Sequence, residues 1–159
     1  MPRTLVVGYG NVHRGDDGVA YHVVNTVREL LGQERLGEDT TGLESLGMRV
    51  DSILLTQLVP ELIDAMGDYE QVIFVDAHVR EDVPDLHCKA VVPAYSASAF
   101  THHMTPAMLL ALLKAIHQHE PAGYIVSIRG RDFDFRRDLS AETERSVRPA
   151  VNEILRMIA

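Results

Sequence analysis

Apolar runs and amphipathic stretches alternate along the whole chain. Leu5-Val6-Val7-Gly8 is a buried-strand pattern that breaks into Gly-Tyr-Gly-Asn, a tight loop. From Gly18, Val19, Ala20, Val23, Val24, Val27, Leu30 and Leu31 recur at helical spacing, and Gly32 supplies a stop. Residues 33–50, rich in Gly, Glu, Asp and Thr, read as a loop. Ser52 to Thr56 reads as a second strand, and Pro60 to Met66 as a short helix with proline near its start. Gln71 to Asp76 is the clearest buried strand, followed by Ala77-His78. Residues 80–85 form a polar turn, and Leu86 to Val92 a weaker strand. Thr105 as N-cap and Pro106 open a helix to about Gln118, whose stripe Met108, Leu109, Leu112, Leu113 and Ile116 reads as core. Gly123 to Ile128 is another strand, and Ser140 to Ile158 a terminal helix with acids in its first turn.

Strands that alternate with helices predict an α/β fold: a single three-layer domain, 1–159, with a mostly parallel twisted sheet and helices on both faces. No repeat, low-complexity tract or linker interrupts it. Folds of this kind place their sites at the carboxyl ends of the strands, so the residues there are the ones to inspect.

Composition narrows the setting. The 159 residues carry 15 Lys+Arg against 23 Asp+Glu, a net charge of −8. That balance repels a nucleic-acid backbone, and the densest basic stretch, Arg129, Arg131, Arg136 and Arg137, is interrupted by Asp132, Asp134 and Asp138. The one cysteine, Cys88, cannot form an internal disulfide, and within a strand it reads as a packed, inert thiol. The first apolar run is too short for a signal-peptide core and no stretch approaches the ~20 apolar residues of a membrane span. The expectation is a cytoplasmic protein with no nucleic-acid partner and no membrane insertion.

Three segments carry candidate chemistry. The first strand leads to Gly8-Tyr9-Gly10-Asn11-Val12-His13-Arg14-Gly15-Asp16-Asp17-Gly18. His13 replaces the glycine of a dinucleotide fingerprint, and Asp16 and Asp17 stand where a phosphate loop needs Lys and Ser/Thr, so both nucleotide readings are poor. Asp16 reads as an N-cap, with Asp17 left over for other work. The strand at 71–76 ends in Asp76, which shares a sheet edge with Asp17 if the two strands are parallel neighbours. Thr101-His102-His103-Met104-Thr105-Pro106 precedes a helix and brings His103 toward the same edge. Two carboxylates and one imidazole suit zinc, nickel or iron, and equally suit activation of a water molecule. Ser96 and Ser98 read as loop formers. His13, His22, His78, His87, His117 and His119 are scattered and read mostly as surface residues.

The combination resembles the nickel–iron hydrogenase maturation endopeptidases. Gly8-x-Gly10-Asn11 followed by Gly15-Asp16-Asp17-Gly18-Val19 is similar to the family's opening signature, Gly-x-Gly-Asn and then Asp-Glu-Gly-x-Gly. The strand ending in Asp76-Ala77 and the Thr101-His102-His103 segment resemble its second and third. Gln57-Leu58-Val59-Pro60-Glu61-Leu62 is similar to one subgroup. Asp17 stands where the family has its metal-binding Glu, one methylene shorter, and Ala20 stands for the usual second glycine.

The resemblance implies an endopeptidase, a hydrolase that removes the C-terminal extension of a hydrogenase large-subunit precursor after nickel insertion. Asp17, Asp76 and His103 are then the catalytic and metal-contacting residues. The nickel belongs to the precursor; no permanently bound cofactor is expected, and the site can take up zinc, nickel or cadmium. Water attack assisted by a carboxylate and attack assisted by the metal both remain open. The alternatives are a non-cleaving nickel-sensing chaperone on the same residues, a nucleotide-binding domain on the Gly8–Gly18 loop, and an unrelated peptidase of the same fold.

Overall fold

Strand β1 (Thr4–Tyr9) is buried along almost its whole length and forms the middle of the sheet's first half. The computed structural model describes residues 2–95 and 103–159. After β1 come helix α1 (Val19–Leu30), β2 (Val50–Leu55), the short α2 (Ile63–Met66), β3 (Gln71–His78) and β4 (Leu86–Ala90). Helix α3 (Pro106–His117), β5 (Ala122–Arg129) and α4 (Ala141–Ile158) complete the order. The five strands lie in the order β2-β1-β3-β5-β4. All pairs are parallel except β4 with β5, so the expected α/β architecture holds with one antiparallel edge strand.

Period-two alternation divides each strand between two cores. Val6, Ile73, Val75, Val126 and Ile128 face α1 and α4, where Val23, Val27, Val151 and Ile154 meet them. Leu5, Val7, Val72 and Phe74 face the other way, onto Met66 of α2 and Leu109, Leu110 and Leu113 of α3. The helix stripe expected as core is therefore shifted. Leu110 and Ala111 are buried, Met108 and Leu112 are half-buried, and Ile116 lies 56% exposed, one turn beyond Leu113.

Other boundaries move by one or two residues. β2 begins at Val50, and β4 ends at Ala90. The 60–66 segment is a 3-10 turn (Pro60–Leu62) running into one turn of α2. Thr105 caps α3 as expected, its side chain accepting the Met108 N–H at 3.2 Å. Thr105→Ala is expected to cost about 1 kcal/mol in a thermal or denaturant melt, and Thr105→Ser to recover most of it.

The arginine-rich stretch makes no basic patch, because each member meets an acid. Arg129 lies 3.3 Å from Glu81, Arg131 3.0 Å from Asp85, Arg136 2.6 Å from Asp132 and Arg137 3.2 Å from Glu38. No helix among the described residues is long and apolar enough to cross a membrane. Cys88 is half-buried on β4, and burial pushes its thiol up, away from reactive thiolate character.

Candidate active site

β1 connects outward to β2 on one side, and β3 to β5 on the other, so the chain diverges between β1 and β3. A crevice opens outside the carboxyl ends of strands at such a switch point. Tyr9 ends β1 there, and Asp76 lies near the end of β3.

The loop after β1 is shaped by its glycines. Gly10 has φ +143°, and a Cβ on it would lie 2.0 Å from the Asp17 carbonyl oxygen. Only glycine lets the loop close on Asp17, whose Oδ2 then accepts the Asn11 N–H at 2.8 Å. Gly10→Ala is expected to cost about 1–3 kcal/mol and to displace the Asp17 carboxylate, visible as a lower Tm together with weakened function.

Most of the loop's own N–H groups are already engaged. Gly10 N–H donates to Leu55 O, Asn11 N–H to Asp17, His13 N–H to Asn11 Oδ1, and Arg14 N–H to Asn11 O. Gly15, Asp16 and Asp17 donate to the carbonyls of Arg136, Asp132 and Arg14. A phosphate cradle needs such donors free, which weighs against the nucleotide alternative.

Asp76 is held differently. Its Oδ2 accepts the Tyr9 hydroxyl at 2.7 Å, while Oδ1 is buried with no hydrogen bond made. Burial pushes its carboxyl above the ordinary carboxylate range, and the negative charge of Asp17 adds to the rise. The neighbouring Ser127 and Tyr9 hydroxyls and the His78 imidazole oppose it. Burial and the same carboxylate push the Tyr9 phenol far up, so it remains a donor.

His103 stands exposed, two residues before the Thr105 cap. Asp17, Asp76 and His103 line one cavity of about 430 Å³, with Tyr9 and Met104 on its walls and residues 56–60 closing one side. The Gln57–Pro60 part of the sequence resemblance thus lies at this cavity. A second cavity of about 450 Å³ shares Tyr9, Gly10 and Asp17 with it and is walled on the far side by residues 37–41. The three side chains share a cavity without closing on one point: no group of three His, Cys, Asp or Glu among the described residues is arranged to hold a metal ion. The donor set itself, two carboxylates and an imidazole with an unpartnered Asp76 oxygen, fits a borderline divalent cation in chemical type. His102, Thr101, Ser96 and Ser98 lie outside the described residues.

Asp16 has a structural role, but not the expected one. It sits inside a 3-10 turn (Gly15–Gly18) and makes no helix cap for α1. Its fully buried carboxylate reaches across to the segment between β5 and α4. Oδ2 accepts the N–H groups of Arg131 (2.7 Å) and Asp132 (3.0 Å) and the hydroxyls of Ser140 (2.7 Å) and Thr143 (2.9 Å). Oδ1 accepts the Ser140 N–H at 2.7 Å. Burial alone raises its carboxyl; these bonds outweigh it and hold the pKa down to about 2.

His78 departs from the surface reading as well. It is half-buried; its Nδ1 lies 2.8 Å from Ser127 Oγ, and its Nε2 is buried without a partner. Burial pushes its imidazole pKa down. Ser127, directly opposite Asp76 in the β3–β5 register, was not a sequence candidate. It lies in an apolar run, and only the strand pairing brings it to Asp76.

A switch-point crevice lined by two carboxylates and a histidine, on a sheet covered by helices on both faces, marks an α/β protein with its candidate site at the carboxyl ends of the strands. More particularly, this is the fold of the hydrogenase maturation peptidases. The chain is similar to the hydrogenase maturating endopeptidase HybD of E. coli, with TM-score 0.70, 21% identity and coverage of 98% of this chain and 91% of that one. A hydrogenase 2 maturation peptidase from a Thaumarchaeota archaeon matches at TM-score 0.63 and 26% identity, covering 99% of this chain and 98% of that one. The [NiFe] hydrogenase maturation protease HybD of Thermococcus kodakarensis matches at TM-score 0.65 and 16% identity, with 99% of both chains covered. No protein-family model and no curated protein sequence matches the chain.

Proposed function

We propose that the protein is an endopeptidase of hydrogenase maturation, removing the C-terminal extension of a nickel–iron hydrogenase large-subunit precursor after nickel has been inserted. The observation that carries this reading is the placement of Asp17, Asp76 and His103 around one cavity at the sheet's switch point. The full-length likeness to hydrogenase maturation peptidases supports the same reading. The setting in this reading is the cytoplasm.

The nickel is part of the substrate. Asp17, Asp76 and His103 contact it from the cavity wall and so fix the scissile peptide beside the two carboxylates, which lowers the entropic cost of attack. The adjoining cavity walled by residues 37–41 takes the peptide chain on one side of the scissile bond. Water adds to the carbonyl carbon, the C–N bond breaks, and the departing amine takes up a proton. Asp76 suits the proton-accepting part of this sequence, because burial makes its carboxyl more basic than an ordinary one.

The test uses purified protein with nickel-loaded and nickel-free precursor, followed by mass spectrometry. The expected result is loss of the C-terminal extension from the loaded precursor alone. Stable binding without loss of mass favours the non-cleaving checkpoint protein, and cleavage of unfolded proteins without nickel favours an unrelated peptidase. The protein alone is also expected to take up zinc, nickel or cadmium weakly, read by calorimetry, and Asp76→Asn to abolish the uptake.

The acidic balance of −8 favours a basic extension on the client. Raising ionic strength is then expected to slow processing through weaker association, with KM rising and kcat little changed. A salt-independent KM contradicts that charge pairing.

A further inference from the structure

Two polar residues, Asn25 and Arg28, share the buried positions of α1 with Val23, Val24 and Val27. Asparagine is a poor residue for a helix interior, and a buried amide costs stability unless it is paired. Asn25 is fully buried and pairs twice with one residue. Its Nδ2 donates to Leu36 O at 3.0 Å, and its Oδ1 accepts the Leu36 N–H at 2.7 Å. The donor and acceptor of that one peptide backbone fix which way the amide faces. Arg28, one turn on, holds the same stretch, its Nε donating to Glu34 O at 2.6 Å.

This clamp lies at the foot of a cavity wall. Leu36 is buried, whereas Gly37, Glu38, Asp39, Thr40 and Thr41 are exposed and line the cavity of about 450 Å³. The other foot is tied to β2. Leu54 N–H donates to Thr41 O at 2.9 Å, and Gly42 turns at φ +86°, where a Cβ would lie 2.7 Å from Ser52 O. Between the feet, Thr40 N–H donates to Gly37 O at 3.1 Å, and Glu38 meets Arg137 at 3.2 Å at the surface, where an ion pair holds little. A segment with no buried side chain of its own takes its position from its two feet. Ala20 and Tyr21 of α1 line the same cavity. The helix thus lines the cavity with one turn and anchors the 37–41 wall with the next.

We infer that Asn25 is a positioning residue for substrate binding: its two bonds to Leu36 hold the 37–41 wall at the width that grips the precursor's peptide. This rests on the reading of that cavity as the place where peptide beside the scissile bond lies. The wall meets the peptide away from the two carboxylates, so it contributes equally to the bound substrate and to the transition state. Loosening it raises KM and leaves kcat alone.

Two measurements test it. In processing assays on nickel-loaded precursor, at a temperature where each variant is folded by circular dichroism, Asn25→Ala is expected to raise KM about tenfold with kcat unchanged. Asn25→Leu keeps the volume and loses both bonds, and it is expected to raise KM as much. A parental KM in either variant, or a loss confined to kcat, overturns the inference. Amide hydrogen exchange on the full parent chain, read by NMR, needs neither a variant nor a substrate. The Leu36 N–H is expected to exchange as slowly as the amides of α1, although it lies in a connecting segment, because its acceptor is fully buried. Exchange at the rate of the exposed residues 37–40 overturns the clamp. A parent protein that cleaves no precursor removes the protease reading instead, and exchange then decides the clamp alone.

Discussion

Asp76→Asn is expected to lower tail removal by at least about 100-fold while the protein melts at the parental temperature or above it. The two halves of that result have separate causes. Asp76 is buried, one of its oxygens makes no hydrogen bond, and Asp17 adds a like charge nearby. Neutralising it relieves the folded state of a poorly solvated charge, so stability does not suffer. Function is expected to fall because the variant removes the carboxylate proposed to meet the substrate. Asp17→Asn and His103→Ala are expected to show comparable losses. A variant at any of these positions that processes precursor at the parental rate removes that residue from the site. The pH profile adds a second reading. Because burial raises the Asp76 carboxyl, the acid limb of activity is expected above the ordinary carboxylate range. Tyr9 favours the charged form by its 2.7 Å hydrogen bond, so Tyr9→Phe is expected to move that limb further upward. A downward shift contradicts the assigned role of the phenol.

The sheet was legible because its central strands β1 and β3 are buried on both faces and read as near-continuous apolar runs. β3 was the clearest, and its final carboxylate stood out against the apolar residues before it. The antiparallel direction of β4 was not legible, since a five-residue strand carries no sign of its direction. The helix α3 was placed correctly by its Thr105 cap and Pro106, yet its buried face was misjudged. Leu110 packs inward beside Leu109, and a helix this apolar leaves the 3.6-residue stripe poorly defined.

The site shows the same division between local and tertiary information. Asp17 and Asp76 stand out in the sequence because loop and strand ends are local features, and the parallel β1–β3 pairing brings them to one cavity. Ser127 and His78 do not stand out, because only the cross-strand register brings Ser127 opposite Asp76 and beside His78. Asp16 is the instructive case. Two adjacent acids before a helix suggested a cap, but the side chain points away from α1 to donors 115 to 127 residues further on. Nothing in the local sequence reveals a partner at that distance. The loop thus divides its two acids by direction: Asp17 faces the cavity, and Asp16 faces the interior.

Asp16→Ala is therefore expected to be the most destabilising change in the loop, at about 3–5 kcal/mol, because it orphans three backbone N–H groups and the Ser140 hydroxyl at once, while the Thr143 hydroxyl keeps the Arg129 carbonyl as acceptor. For a domain of this size, whose total stability is about 5–15 kcal/mol, that is a large share. Asp16→Asn is milder, at about 1–3 kcal/mol. Its amide oxygen can replace Oδ2 and keep four bonds, but the amide nitrogen then confronts the Ser140 N–H that Oδ1 now accepts. Acid shows the same group at work. The folded-state pKa of about 2 lies below the ordinary carboxylate value of 3.8, so the contribution is fully present above pH ~4 and is lost as pH falls toward 2. Melting curves between pH 2 and 5 are expected to steepen against pH in the parent and to flatten in Asp16→Asn. A parental slope in that variant contradicts the assignment. Because Asp16 also ties the Gly15–Gly18 turn to the start of α4, its loss is expected to lower processing together with stability. The Asp17→Asn and Asp76→Asn variants, by contrast, are expected to lose processing alone. That contrast would separate the acid that builds the loop from the acids proposed to meet the substrate.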